Sequence, residues 1–310
     1  MGLVLGTVAV GLLVSCQPAP VSPTLDPNVP TQTIEHAMGT SQVPLSPERV
    51  VVIDTTALDA ALALDITPVG TIRYGSIPDY LGEAVSKIPV VGEYNQPDLE
   101  TILQLDPDLI LGAKSISAQI YSRLSQIAPT VFIEGAGRHW DWKSNFRLYA
   151  EALGKEEAAE QLLADYQQQI TDLKASMDTA PKMITVSVLI SAPEGLIAHT
   201  PTSFSGAVLQ EIGFERNEAQ SQDEQFFQRI SREDLASPDG DVIFLIHNPE
   251  WDTTAKADFI SDRLWSQLDA VQRGAVCEVA GDVWASGRGL LAARQILADI
   301  KNCLVQVDVS

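Results

Sequence analysis

A chain of 310 residues with 45% hydrophobic side chains has enough apolar surface for one large core or two modest ones. Its formal charge of −21 leaves no basic face on which a nucleic acid or an anionic membrane surface would rest. Residues 3–14, LVLGTVAVGLLV, form an uncharged apolar run that is too short to span a bilayer and has the length of a signal peptide.

That run ends in Leu13-Val14-Ser15-Cys16, which resembles a bacterial lipobox, with Cys16 as the lipidated residue. Five prolines follow between Pro18 and Pro30, so the segment reads as an extended tether rather than a continued helix. The expected boundaries are a signal peptide at 1–16, a Pro-rich tether at 17–33, an N-terminal lobe at 34–143, a linking helical segment at 144–180 and a C-terminal lobe at 181–310. With Cys16 assigned to lipid, Cys277 and Cys303 remain as an even pair in an exported chain, either as a disulfide or as two separate buried thiols.

Along the first lobe, Val50–Ile53 is a continuous β-branched strand, and a helix follows to Leu64 with Thr56 and Asp59 at capping-box spacing. Strands at 68–72 and 88–91 come next. A short helix starts at Pro97-Asp98, a strand covers Asp108–Leu111, a helix is expected over Ile116–Ile127, and a strand over Thr130–Ile133. Alternation of this kind predicts a mostly parallel sheet. The long stretch Lys155–Met177 repeats apolar side chains at Ala159, Leu162, Leu163, Tyr166, Ile170 and Leu173, one helical face of a rod about 34 Å long. Beyond it come strands at Ile184–Ile190, near Leu196, at Val242–Ile246 and at Val276–Val279. Helices are expected at Ser205–Ile212, Arg232–Ala236, Ala257–Leu268 and Leu290–Leu304. The segment from Glu100 through Asp106-Pro107-Asp108 to Leu111 is echoed from Glu233 through Pro238-Asp239-Gly240-Asp241 to Phe244, so the halves read as approximate repeats. The expected class is α/β: two doubly wound lobes joined by one long backbone helix, with a ligand cleft between the lobes.

Ile34-Glu-His-Ala-Met-Gly, Pro44-Leu-Ser-Pro-Glu-Arg-Val-Val, Ala63-Leu-Asp-Ile-Thr-Pro-Val-Gly, Leu99-Glu-Thr-Ile and Asp106-Pro-Asp-Leu-Ile-Leu-Gly follow one another in an order that resembles the iron-siderophore and cobalamin binding proteins of ABC uptake systems. Ile230-Ser-Arg-Glu-Asp-Leu, Leu264-Trp-Ser-Gln-Leu and Asp282-Val-Trp extend the likeness to about residue 304. The resemblance implies capture of a chelated metal or a corrin between the lobes and delivery to a permease dimer, with no chemistry and no resident cofactor. With the lipobox at Cys16, the expected state is a monomer held by lipid on the extracytoplasmic side of a bacterial membrane.

Side chains following the strand ends are the candidate contacts: Arg73, Tyr74, Tyr94 with Asn95, Lys114, Arg138 and Trp140 from the first lobe, and His199, Phe226, Phe227, His247, Trp251, Trp284 and Arg288 from the second. Arginine forks suit the oxygens of a ferric chelate and aromatic faces suit its organic arms. Relatives place an arginine or aromatics at positions matching Arg73, Phe227 and Trp284. Each candidate has a structural alternative: Arg73 as a solvated loop residue, Trp140 and Trp284 as core, Arg288 as a helix start, Lys114 as surface charge. Trp265 reads as core and His36 as lying away from the cleft. His139, His199 and His247 each follow a strand and make a bare transition-metal ion an alternative cargo, although no close pair such as HxxxH is present. Glu100 and Glu233 complement the dipoles of their helices, and the resemblance implies that they also meet arginines of the permease. An exported hydrolase finds no support, since GxSxG and HExxH are both missing.

Overall fold

The computed structural model describes residues 27–73, 78–135, 142–177, 179–192, 195–221, 225–231, 234, 237–247 and 260–307. The lipobox and Cys16, together with Tyr74, Arg138, His139, Trp140, Glu233 and Trp251, lie outside the described residues. Among the described residues, no helix is long and apolar enough to cross a membrane.

The chain first forms a hairpin, β1 (Thr31–His36) and β2 (Gly39–Pro44), with Gly39 at φ +122° closing the turn. Residues 31–33, expected in the tether, are therefore strand. The reason is burial: Ile34 and Val43 enter the core completely, and Gln32 Nε2 donates to Glu151 O at 2.8 Å. His36 sits against Tyr121 and bonds within the N-terminal lobe, away from the cleft as expected.

The N-terminal sheet has the order β6 (Gln96–Pro97), β5 (Val90–Glu93), β4 (Gly70–Arg73), β3 (Val50–Val52), β7 (Leu109–Ala113), β8 (Thr130–Ile133), with all pairs parallel except β5 with β6. The C-terminal sheet runs β12 (Phe227–Ser231), β10 (Gly195–His199), β9 (Thr185–Ala192), β13 (Val242–His247), β14 (Val276–Ala280), with β11 (Glu215–Arg216) also paired to β9. The sequence repeat has a structural counterpart. Asp108 accepts from the backbone N–H groups of Glu48 and Arg49 at 2.8 and 2.9 Å, while its own N–H donates to Arg49 O. Asp241 accepts from Thr185 N–H at 2.7 Å, and its N–H returns to Thr185 O at 2.8 Å. In each lobe one aspartate thus pins the chain leading into a central strand.

Helix α1 (Thr55–Ala63) is capped by Asp54, whose carboxylate accepts from Ala57 N–H at 2.9 Å. The expected Thr56/Asp59 capping box does not form, because Asp59 is wholly buried and faces the other lobe. The helix expected over 116–127 is broken into Lys114–Ser117, Ala118–Ile120 and Tyr121–Leu124, where serines and β-branched isoleucines weaken helix propensity. After α2 (Leu99–Gln104), the helices α3 (Trp142–Ala152) and α4 (Glu156–Ala175) pack as a pair. The buried face of α4 is Ala159, Leu163, Tyr166, Ile170 and Leu173, with Leu162 partly buried beside it, as the periodicity predicts. The helices α5 (Phe204–Ile212) and α6 (Leu290–Gln306) complete the set.

The apolar interior has three parts. One continuous core takes Val50 and Val52 from the first sheet, Val186 and Val188 from the second, and the inward faces of α1, α3, α4, α5 and α6 between them. Each lobe has in addition a core of its own on its outer face, where Trp265 and Leu268 belong to the second lobe as expected. The lobes are therefore joined by a shared helical layer, of which the long helix is one member. Across this layer the carboxylate of Asp59 accepts from the N–H groups of Leu291 and Ala292, at 3.0 and 3.1 Å. It thereby caps α6 of the second lobe from α1 of the first. On the same layer Trp142 meets Tyr166 edge-on at 5.3 Å and Phe204 at 6.1 Å, and Lys143 pairs with Glu211 at 2.9 Å.

Cys277 in β14 and Cys303 in α6 form a disulfide with Cα atoms 5.9 Å apart, tying the edge of the sheet to the last helix. The bond closes a loop of 26 residues. Its replacement by two serines is expected to lower unfolding free energy by about 3 kcal/mol. Denaturant unfolding of the two forms under oxidising conditions checks this, and equal midpoints would contradict it.

Candidate functional site

Where β10 ends, the segment from Thr200 to Ser203 turns the chain into α5. Ser203 caps that helix by accepting from Gly206 N–H at 3.0 Å. The Thr200 hydroxyl bonds the carbonyl of Gln225, the Thr202 hydroxyl bonds it too at 2.7 Å, and Thr200 N–H donates to Phe226 O at 3.2 Å. These bonds hold Phe226 and Phe227 at the start of β12 with 44% and 48% of their surfaces open. Two adjacent phenylalanines left this exposed are costly unless something covers them.

They border a cavity of about 360 Å³ between the lobes. Ser115 and Gly135, which follow β7 and β8, line it from the first lobe; His199, Ser203, Phe204, Phe226, Phe227, Trp284, Ala285 and Arg288 line it from the second. Arg288 is the one cationic side chain among these. Its Nη1 donates to Ala285 O at 2.9 Å and to Gly287 O at 2.7 Å, so the guanidinium is folded back on its own turn. His199 Nδ1 lies 3.1 Å from the Ser205 hydroxyl. Burial, followed by the positive charges of Arg288 and Arg216, pulls its pKa down to about 3, so the imidazole is neutral at physiological pH. Beneath it the buried guanidinium of Arg216 donates to His199 O and, at 2.8 Å, to Gln220 Oε1. Burial lowers that guanidinium to about 10.

A larger cavity of about 500 Å³ lies at the β14 edge, lined by Tyr80, Glu278, Asp282, Asp299 and several amides. Its described lining holds three carboxylates and no cation, which is unsuited to an anionic ligand. The interlobe cavity is the better candidate because cation, neutral hydrogen-bonding groups and open aromatic faces converge there.

The sequence-predicted candidates separate accordingly. His199, Phe226, Phe227, Trp284 and Arg288 are brought together. Trp284, however, is fully buried: its ring stacks on Phe244 with centroids 4.7 Å apart, and its Nε1–H donates to Asp299 at 2.8 Å. It forms the cavity floor and has no open face with which to cover a ligand arm, so of its two readings from the sequence the core one holds. Arg73, at the exposed end of β4, faces Glu93 at 3.9 Å, and Lys114 pairs with Glu134 at 2.8 Å; neither lines the cavity. Tyr94 packs partly buried on the outer core of the first lobe. His247 ends β13, half-buried, and is not in the cavity lining. Among the described residues, no group of three or more His, Cys, Asp or Glu side chains is arranged to hold a metal ion. Ala285 falls within the run Trp284–Arg288 that follows the strand end, whereas Ser115, Gly135, Ser203 and Phe204 are not among the sequence-predicted candidates. Only Ser203 carried a signal, as a serine three residues before Gly206 at a helix start.

Residues 50–282 match the family model described as periplasmic binding protein. The chain belongs to that family. A probable siderophore-binding lipoprotein of Bacillus subtilis is 36% identical to this binding protein over 88% of the chain and 87% of its own length. The achromobactin-binding periplasmic protein of Dickeya dadantii is 31% identical over 82% of the chain and 85% of its own. Among solved structures, Staphylococcus aureus SirA complexed with staphyloferrin B superposes with a TM-score of 0.76 at 25% identity, covering 90% of this chain and all of that one. The two-lobed fold expected from the sequence is thus that of the family.

Protonation makes a testable feature of this binding protein. His199 at about 3 and His36 at about 4 lie below the free value of 6.5, so each takes up a proton when the chain unfolds in acid. Their effect is a stability present above pH 6.5 and lost as pH falls toward 4. Asp59, raised by burial to about 6, acts in the opposite sense: its effect is greatest below pH 3.8 and is lost as pH rises through 6. Replacing His199 by Gln is expected to flatten the acid fall of unfolding free energy between pH 6 and pH 4 by about one proton's slope. Denaturant titrations across that range read it directly, and parallel pH profiles would contradict it.

Proposed function

We propose that this chain is the substrate-binding component of an ABC importer, capturing a ferric siderophore or a ferric citrate-like chelate between its lobes. The observation that carries the reading is the interlobe cavity, where Arg288 stands beside the open faces of Phe226 and Phe227. A ferric chelate of carboxylate or hydroxycarboxylate type presents anionic oxygens around the metal and organic arms outside them. A guanidinium fork matches the oxygens and phenyl faces cover the arms. The curated relatives support the same class, since their names specify siderophore and achromobactin binding. The net charge of −21 does not oppose it, because screening over about 8 Å at physiological salt leaves the local arginine dominant.

In this reading Cys16 carries lipid and holds a monomer on the extracytoplasmic face of the membrane, and the iron is cargo. Capture needs little hinge motion, because the two sheets share one helical core that a large closure would break. Glu100, exposed in the first turn of α2, and Glu233, outside the described residues, are the groups offered to the permease dimer.

Titration of the soluble domain, from residue 27, with ferric citrate, iron-loaded staphyloferrin B, catecholate chelates, haem, cobalamin and free divalent metals tests the cargo. Saturable binding of one ferric chelate below micromolar concentration is expected, weakened about tenfold or more by Arg288→Met. Binding of haem, cobalamin or a bare metal alone would reject the reading. For docking, Glu100→Ala combined with Glu233→Ala is expected to leave chelate affinity unchanged and to lower iron uptake by cells several-fold; undiminished uptake would remove these residues from the permease contact.

A further inference from the structure

The guanidinium of Arg288 is positioned from two sides. On its own lobe, the short helix Gly281–Trp284 unwinds into a turn closed by Ala285 and Ser286 N–H to Gly281 O and by Gly287 N–H to Val283 O. Arg288 then folds over that turn onto the carbonyls of Ala285 and Gly287. On the other lobe, Asp59 grips the residues immediately after it. Its two oxygens take the N–H groups of Leu291 and Ala292, and Gly289 lies so close that a Cβ there would stand 2.2 Å from Oδ1. The Tyr80 hydroxyl, also from the first lobe, bonds Asp59 and lies within electrostatic reach of Arg288 and Asp282. The stretch 287–289 is therefore flanked by backbone bonds on both sides: Gly287 N–H to Val283 O before it, and the N–H groups of Leu291 and Ala292 to Asp59, across the lobe boundary, after it.

We propose that Asp59 is a positioning residue for ligand capture, holding from the N-terminal lobe the turn that presents Arg288 to the interlobe cavity. The inference rests on the reading that Arg288 meets the chelate. It adds that a residue outside the cavity, on the opposite lobe, sets the affinity through Arg288. A buried carboxylate accepting two backbone N–H groups defines both distance and angle, which an apolar contact at the same place would not. Asparagine has the same shape but presents an N–H where an acceptor is needed, so one of the two bonds must be lost.

The test is a double-mutant cycle on the soluble domain with ferric citrate as the probe. Asp59→Asn is expected to raise Kd about tenfold when Arg288 is present and less than twofold in the Arg288→Met background. Tyr80→Phe, a milder change that removes one bond to Asp59, is expected to act in the same direction, again only with Arg288 present, and it carries the test if Asp59→Asn does not fold. The Nε–H resonance of Arg288 in the ligand-free protein supplies an independent readout, expected to shift or broaden in both variants. Equal losses of affinity in the two backgrounds would overturn the proposal, as would an unchanged Kd. If the parent protein binds no ferric chelate, the functional reading fails; an Arg288 resonance that still moves then supports the positioning role, and one that stays put overturns it.

Discussion

The contact between Asp59 and the start of the last helix is the constraint on which the joint of this molecule depends. The first N–H groups of a helix have no intrahelical acceptors, and a carboxylate placed there satisfies two of them while opposing the positive end of the helix dipole. Here the carboxylate comes from the other lobe and is entirely buried. Burial raises its pKa to about 6, and the bonds from Leu291 and Ala292 act against that rise. Hydrogen bonds to a charged group contribute about 1.5–3 kcal/mol each, and leaving those two N–H groups unpaired in a dry interior would cost a similar amount. The geometry also dictates the sequence locally, since no side chain fits at Gly289 with Asp59 in place.

The remaining helices pack around this contact. The last helix lies against α1, α3, α4 and α5, so fixing its first turn fixes a layer common to both sheets. The cavity inherits this stiffness. Its floor is Trp284, stacked on Phe244 and bonded to Asp299 of the same last helix, and its cation follows directly on the short helix that carries Trp284. At the rim the phenylalanine pair and, from the first lobe, Ser115 stand open to the solvent. A rigid polar base under an apolar rim is an arrangement that loses little conformational freedom on binding.

Much of this was legible in the sequence. The apolar face of α4 is set by helical period, and four of its turns bury the residues the spacing indicates. The echo between the two Pro-Asp segments corresponds to Asp108 and Asp241 pinning central strands in the same way. Local patterns carry such features because their partners are near in sequence or repeat a known strand start. Spacing alone makes Asp59 half of a local capping box, whereas its true partner lies more than two hundred positions away, which no spacing rule reaches. For Trp284 the strand end leaves ligand contact and core both open, and what decides for core is Phe244, forty residues earlier in the chain, which takes the face of the ring. The hairpin strand at 31–33 was hidden by the prolines before it, although Ile34 and Val43 already alternate with polar neighbours.

The bond from Asp59 to Leu291 spans 232 positions of a 310-residue chain. Loop-closure entropy grows with separation, so a contact of this span forms late, after shorter-range sheets and helices have gathered its ends. A chain that emerges amino end first exposes α1 long before the helix it must cap exists. The first lobe therefore holds an empty socket, with a buried-to-be carboxylate still in water, until the final residues arrive. Completion of the joint is in this sense a length check: a chain that stops short of residue 290 has no helix to place against Asp59, and its shared core stays open to water.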